Sequence, residues 1–191
     1  MINQEIENFC HNWIEKAEAY NDSNLQDVFD KFFTLYVVYN RLYVEATFRM
    51  SNRGEINIRN RHSFPDPEAA KNYVIQYVTS RAINDAFNND ENCVVALERL
   101  KNIIRNQEFN IKLNMVTGMP EREKDLDLLT KLETRSTDKR IKAIADFIYS
   151  IRCNVFHAQK GYHQTQIPVL NPVNVLLKKM IILLFEKLRT E

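Results

Sequence analysis

Glycine and proline are scarce in this chain, with three glycines and five prolines in 191 residues. So few turn-formers exclude a β-rich fold built on many tight turns. Cysteine is sparse too. Cys10, Cys93 and Cys153 are far apart, odd in number and form no Cys-x-x-Cys pair. That excludes a disulfide scaffold and a zinc knuckle, and suits a reducing cytosol. Neither sign of charge dominates: 26 Lys and Arg stand against 25 Asp and Glu, a formal net charge of +1. No global basic field announces nucleic acid, so any anion site must be local. Long hydrophobic runs are missing as well. The most apolar run, Met180 to Phe185, is far too short to span a bilayer. The N-terminus, Met1 to Glu7, has neither the basic nor the apolar region of a signal peptide. The expectation is a cytoplasmic protein with no membrane segment, forming one domain over residues 1–191.

What is present is helical periodicity. Ile2 to Tyr20 predicts a short helix with Ile6, Phe9, Trp13, Ile14 and Ala17 inward. Leu25 to Met50 predicts a long one. Phe29, Phe32, Phe33, Tyr36, Tyr39, Tyr43 and Phe48 cover more than one of its faces, so it is central to the domain or carries a subunit interface. Ser51 to Pro67 reads as a loop, with a local basic patch of Arg49, Arg53, Arg59, Arg61 and His62: a solvated loop first, and as the alternative a phosphate-contacting flank of an RNA groove. Helices are expected over Glu68 to Phe87 and Cys93 to Arg105, and an extended loop over Phe109 to Met115. Glu121 to Ser136 reads as an exposed helix or mobile arm with Leu126, Leu129 and Leu132 as its apolar line. A helix from Asp138 to about Ala158 follows. A closing helix spans Val173 to Leu188, capped at Asn171 with Pro172 in its first turn. The fold class is all-α: a bundle of about four long helices with additional short ones.

Chemistry concentrates at the end of the Asp138 helix, where Arg152, Cys153, Asn154, His157 and Lys160 fall within nine residues. On a helical wheel, Ile144, Phe147, Ile148, Ile151 and Val155 form an aliphatic core face. Tyr149, Arg152, Cys153, Phe156 and His157 form a second face, expected to turn away from the core toward a cleft or a second subunit. Arg152 and His157 lie about 140° apart around an ideal helix, so they cannot stack as an i,i+4 pair. A bend of the helix, or two copies meeting across a twofold axis, would bring them to one cleft.

Ile151-Arg-Cys-Asn-Val-Phe-His157, followed by Ala-Gln-Lys160, resembles the Arg-x4-His signature of the HEPN superfamily, α-helical domains of prokaryotic toxins, defence systems and RNA-processing proteins. The order of elements is similar too: a long aromatic helix early, the motif helix in the last third, an apolar closing helix. The resemblance implies metal-independent cleavage of RNA by a homodimer, with an antitoxin or other defence-system protein as a possible partner. Arg152 and His157 would be the catalytic pair. His157 would move protons as general base or acid, and Arg152 would hold the scissile phosphate. Lys160 and Asn154 are the candidate substrate contacts. Cys153 is a supporting position, standing where the commonest family pattern has Asn, Asp or His; a thiol is a poor donor there. The alternative is a non-catalytic HEPN-like module that binds RNA, a nucleotide or a partner protein. Cys153 and His157 lack the third group of a cysteine hydrolase. Cys153, His157 and His163 lack a fourth ligand or a standard spacing. No metal and no cofactor is expected.

Overall fold

The computed structural model describes residues 2–58, 64–114, 116–156 and 163–191. Helix α1 (Gln4–Glu18) begins at Asn3, whose side chain accepts from the Glu5 N–H at 2.8 Å. It buries Ile6, Cys10 and Ala17 against α2 (Leu25–Asn52). Asn24 caps α2 by accepting from the Asp27 N–H at 3.2 Å. As the aromatic pattern predicts, α2 is buried around most of its circumference, with Phe32, Leu35, Tyr36, Tyr39, Leu42 and Tyr43 all enclosed.

The next segment departs from the single helix expected over Glu68 to Phe87. Helix α3 (66–78) starts as α-helix at Asp66–Glu68, widens to a π turn at Ala69–Tyr73 and returns to α-helix at Val74–Val78. Thr79, at φ +85°, then turns the chain. Its hydroxyl accepts from the Ala82 N–H at 3.3 Å and so caps α4 (Ser80–Asn88). A β-branched residue at positive φ is strained. No glycine or proline marks this break, and the apolar periodicity runs straight through it.

Helix α5 (Glu91–Arg105) is capped by Asp90, whose carboxylate takes the N–H groups of Asn92 and Cys93. The chain then runs extended, with one isolated bridge between Leu113 and Pro120. Helix α6 (Arg122–Glu133) is docked rather than a mobile arm. Leu128, Leu129 and Leu132 are buried, whereas Leu126, expected on the apolar line, is 39% exposed. Docking is fastened by the fully buried Asp125, which accepts the Ile111 and Lys112 N–H groups at 3.1 and 2.7 Å. Helix α7 (Thr137–Phe156) turns Ile144, Phe147, Ile148 and Ile151 into the core, as its periodicity predicts, with Val155 half-buried.

Helix α8 (Ile167–Thr190) starts six residues before the predicted Val173. Pro168 occupies its first turn, where the missing N–H costs nothing. Pro172 lies inside the helix. Asn171 caps nothing, and its amide donates instead to the Asp22 carbonyl at 2.8 Å. By length and mean hydropathy α8 could cross a membrane; here its apolar surface is covered by α2 on one side and α5 on the other. The chain is all-α, with no strand among the described residues, and one hydrophobic cluster draws side chains from every helix.

Replacing Asp125 by alanine leaves the buried Ile111 N–H and the part-buried Lys112 N–H without this acceptor. The expected loss is about 2–4 kcal/mol, read as a lower urea midpoint at unchanged slope. An unchanged midpoint would show that Asp125 does not hold the 111–112 segment to α6.

Candidate functional site

The site is built where α2, the start of α3 and the outer face of α7 meet. Asp66 is the joint. The Tyr43 hydroxyl donates to its Oδ1. The Tyr149 hydroxyl donates to its Oδ2 at 3.1 Å, and Arg152 Nη2 stands 3.9 Å from the same oxygen. The Arg152 guanidinium also lies 5.7 Å from the Tyr36 ring centre and 5.6 Å from that of Tyr149. Both separations are within cation–π range. The tyrosines of α2 support one another: Tyr36–Tyr39 and Tyr39–Tyr43 make edge-on ring contacts at 5.8 and 5.3 Å. Tyr39 donates to the Ala70 carbonyl of the π turn at 2.7 Å, which ties α2 to α3 beside the site.

A second polar group adjoins the first along α7. Asp146 is bracketed by Lys71 at 3.3 Å and by Lys112. Lys112 also donates to Ser150 Oγ at 2.8 Å. The Lys71 ammonium lies 5.4 Å from the Tyr149 ring centre, so the two groups are continuous through Tyr149.

Burial sets the titration of the site. It pushes the Tyr36 and Tyr149 hydroxyls well above the ordinary phenol range, and the negative Asp66 adds to the effect. It does the same to Tyr43, where the Tyr36 phenol and the Asp66 hydrogen bond add to it. Burial works against the Arg152 cation, but Tyr36, Cys153 and Asp66 more than offset it, so Arg152 stays charged. Burial likewise opposes the Asp146 charge, and Lys112 with Lys71 overcomes it, holding the carboxyl below its usual range.

The structure brings together some of the predicted site residues and separates others. Arg152 is at the centre, its side chain 22% exposed. Cys153 is a half-buried free thiol beside it. Asn154, expected as a substrate contact, is only 5% exposed, and its amide donates to the Ile111 carbonyl at 2.9 Å, tying α7 to the extended segment. His157 and Lys160 lie outside the described residues, as do Arg59, Arg61 and His62 of the basic loop. The rest of that loop patch is partnered within the chain: Arg49 donates to the Leu188 carbonyl at 2.9 Å, and the exposed Arg53 pairs with Glu191 at 2.6 Å. The second face of α7 is corrected. Tyr149 and Arg152 are already partnered by this chain's own Tyr36 and Asp66, because the α2 aromatics reach across to them. Among the described residues no three of His, Cys, Asp and Glu converge as a metal-binding group.

Asp66, Tyr36, Tyr43, Lys71, Lys112 and Asp146 belong to the site without having been predicted for it. The available signals were the Tyr36, Tyr39 and Tyr43 spacing, which stacks phenols along one side of a helix, and the i,i+3 pair of Tyr149 and Arg152. Asp66 carried no such signal, since Phe64-Pro-Asp-Pro reads only as a helix start.

The raised tyrosine values carry a sign. A phenol held neutral by the fold contributes stability that is complete below its unfolded pKa, near 10, and is lost as pH rises above it. Stability should therefore fall with alkali above about pH 10, by up to about 1.4 kcal/mol per pH unit for each enclosed phenol such as Tyr36 or Tyr39. Urea unfolding as a function of pH, with tyrosinate absorbance followed in parallel, measures it. Ionisation of these tyrosines in a still-folded protein would contradict the burial described.

Searches with this chain find no matching protein-family model, no matching curated protein and no matching solved structure.

Proposed function

We propose that this chain is a metal-independent endoribonuclease of the HEPN type, acting as a homodimer in a toxin–antitoxin or antiphage system. The observation that carries the reading is Arg152. It is a charged guanidinium near the last described turn of α7, clamped between Tyr36 and Tyr149 yet partly open to solvent, at the arginine position of the Arg-x4-His signature. A clamped guanidinium has little rotamer freedom left to lose when it binds a phosphate. Its contact with Asp66 is long, and ion pairs of this kind are worth about 0–1 kcal/mol, so a phosphate oxygen can replace the carboxylate.

In this mechanism the ribose 2′-OH gives its proton to His157 and attacks the adjacent phosphorus. The bond from phosphorus to the leaving 5′-oxygen breaks, that oxygen takes a proton from a His157 imidazolium, and a 2′,3′-cyclic phosphate remains. Arg152 balances the charge that builds on the non-bridging oxygens. Lys160 contacts a neighbouring phosphate. Tyr36, Tyr149 and Asp66 are positioning residues that act through Arg152.

One observation favours a second reading, a non-catalytic module binding RNA or a partner protein through the same face. Cys153 offers only a thiol beside Arg152, and Asp66 already partly neutralises that cation.

His157→Ala should lower RNA cleavage by about 10²–10⁴-fold and Arg152→Ala by about 10²–10³-fold, measured as single-turnover rates on labelled RNA. Cleavage that survives both substitutions excludes the mechanism. A dimer that binds RNA without cutting it supports the second reading. Asp66→Asn keeps an acceptor for Tyr43 but removes the competing charge. RNA affinity should then rise by up to about fivefold, the equivalent of about 1 kcal/mol, in a fluorescence-anisotropy titration.

A further inference from the structure

A groove of about 570 Å³ runs between α6 and α7, and its far end adjoins the Arg152 cluster. Its cations are Lys71, Lys131, Lys139 and Lys142; its acids are Asp127 and Asp146. Four lysines stand against two acids in this groove, on a chain whose formal net charge is only +1 and on which any anion site must be local. The continuity is geometric. Lys71 lines the groove, pairs with Asp146 at 3.3 Å and lies 5.4 Å from the Tyr149 ring centre; that ring is 5.6 Å from the Arg152 guanidinium. On an ideal helical wheel Tyr149 falls about 60° from Arg152 and Lys142 about 80°, both away from the aliphatic face, while Lys139 at about 140° lies just past the opposite pole, so the path from Lys139 to Arg152 winds around α7. Lys139 and Arg152 are thirteen residues apart, about 20 Å of track along the helix axis.

The cations are available. Lys139 is exposed and has no acidic partner among the described residues. Lys142 pairs with Asp138 at 2.8 Å and Lys131 with Asp127, but both are exposed i,i+4 pairs on a helix surface. Such pairs contribute a few tenths of a kcal/mol and yield readily to a phosphate. Asn72, Thr130 and Thr134 add polar groups along the walls.

We infer that this groove is the track for a single-stranded RNA backbone, with Lys139 and Lys142 holding phosphates remote from the cut and Lys71 guiding the strand past Tyr149 to Arg152. The inference rests on the ribonuclease reading for its choice of RNA. Attack by a ribose's own 2′-OH needs a nucleotide free to turn out of a helix, which selects single strands. The groove itself is defined by charge and geometry alone.

The test uses the full chain and a labelled single-stranded RNA of mixed sequence carrying 2′-O-methyl groups, which binds but has no 2′-OH to attack. Affinity is measured across a range of salt for the wild type, for Lys139→Ala with Lys142→Ala, and for Lys178→Ala with Lys187→Ala on α8, outside the groove. Lys139 and Lys142 are exposed, and thermal unfolding confirms that each variant keeps its fold. The groove variant should bind about tenfold more weakly near 0.1 M salt, with its log–log salt slope reduced by about 1.4, two released phosphates at ~0.7 each. The α8 variant should keep the wild-type slope. An unchanged slope in the groove variant overturns the track, even if wild type cleaves RNA and Arg152→Ala does not. An equal change in the α8 variant overturns it too, as does tighter binding of duplex DNA by the groove. The expected slope change with no cleavage of unmodified RNA by wild type leaves the track standing and removes the ribonuclease reading.

Discussion

Two helices that are apolar around most of their surface impose the arrangement of all the others. α2 and α8 pack on each other, and that single contact cannot cover either of them. α1 and α3 cover further sides of α2, and α5 covers α8. α7 then packs against α3, α4 and α6, one layer out from the central pair. The same constraint explains why α8 has the length and hydropathy of a membrane span while sitting in the core. It also explains why α2 could not spread its phenols to solvent: a helix buried on several sides turns some of its tyrosines toward a neighbour, and here Tyr36 meets Arg152.

That meeting decides how the arginine is held. The Asp66 carboxylate at 3.9 Å looks like its partner, but a long, part-exposed ion pair contributes about 0–1 kcal/mol. Two aromatic faces at 5.6 and 5.7 Å contribute about 0.5–1 kcal/mol each in a partly open site. The rings therefore do more to fix the guanidinium than the acid does. Asp66 does more as an acceptor for Tyr43 and Tyr149, linking α2 to α7. The cation stays charged, oriented and partly open to solvent.

The π turn and the Thr79 break matter for the same region. A widened turn at Ala69–Tyr73 offers the Ala70 carbonyl to Tyr39 and sends Lys71 toward Asp146 and Tyr149. π turns inside helices recur at functional sites, and this one carries the residue that joins the basic groove to the arginine cluster. Charge on this protein is thus arranged by position: nearly balanced overall, with four lysines from α3, α6 and α7 lining one groove.

Much of this was legible in the order of residues. Scarce glycine and proline excluded sheets, and the 3.6-residue rhythm located α1, α2, α5 and α7 and the inward face of α7, because burial of one stripe is a local property. Arg152 was singled out by its neighbours in sequence. The misreadings share a cause. The break at Thr79 has no glycine or proline to mark it; its local support is the Thr79 cap of α4, and Ser80 beside it donates to Asp138 at the start of α7, 58 residues away. Leu126 and Leu128 are both leucines on a charged helix, and only the position of α7 selects which is buried. Asn154 looks like a free polar group until the Ile111 carbonyl, 43 residues away in sequence, takes its amide. Sequence by itself determined the helices, their inner faces and the arginine, since these follow from spacing along one chain segment. Tertiary structure alone decided that Arg152, with Tyr149 one turn back on its own helix, would meet Tyr36 and Asp66. A ring brought over from another helix, or a carboxylate 3.9 Å away, is set by distances across helices, and no local pattern encodes those.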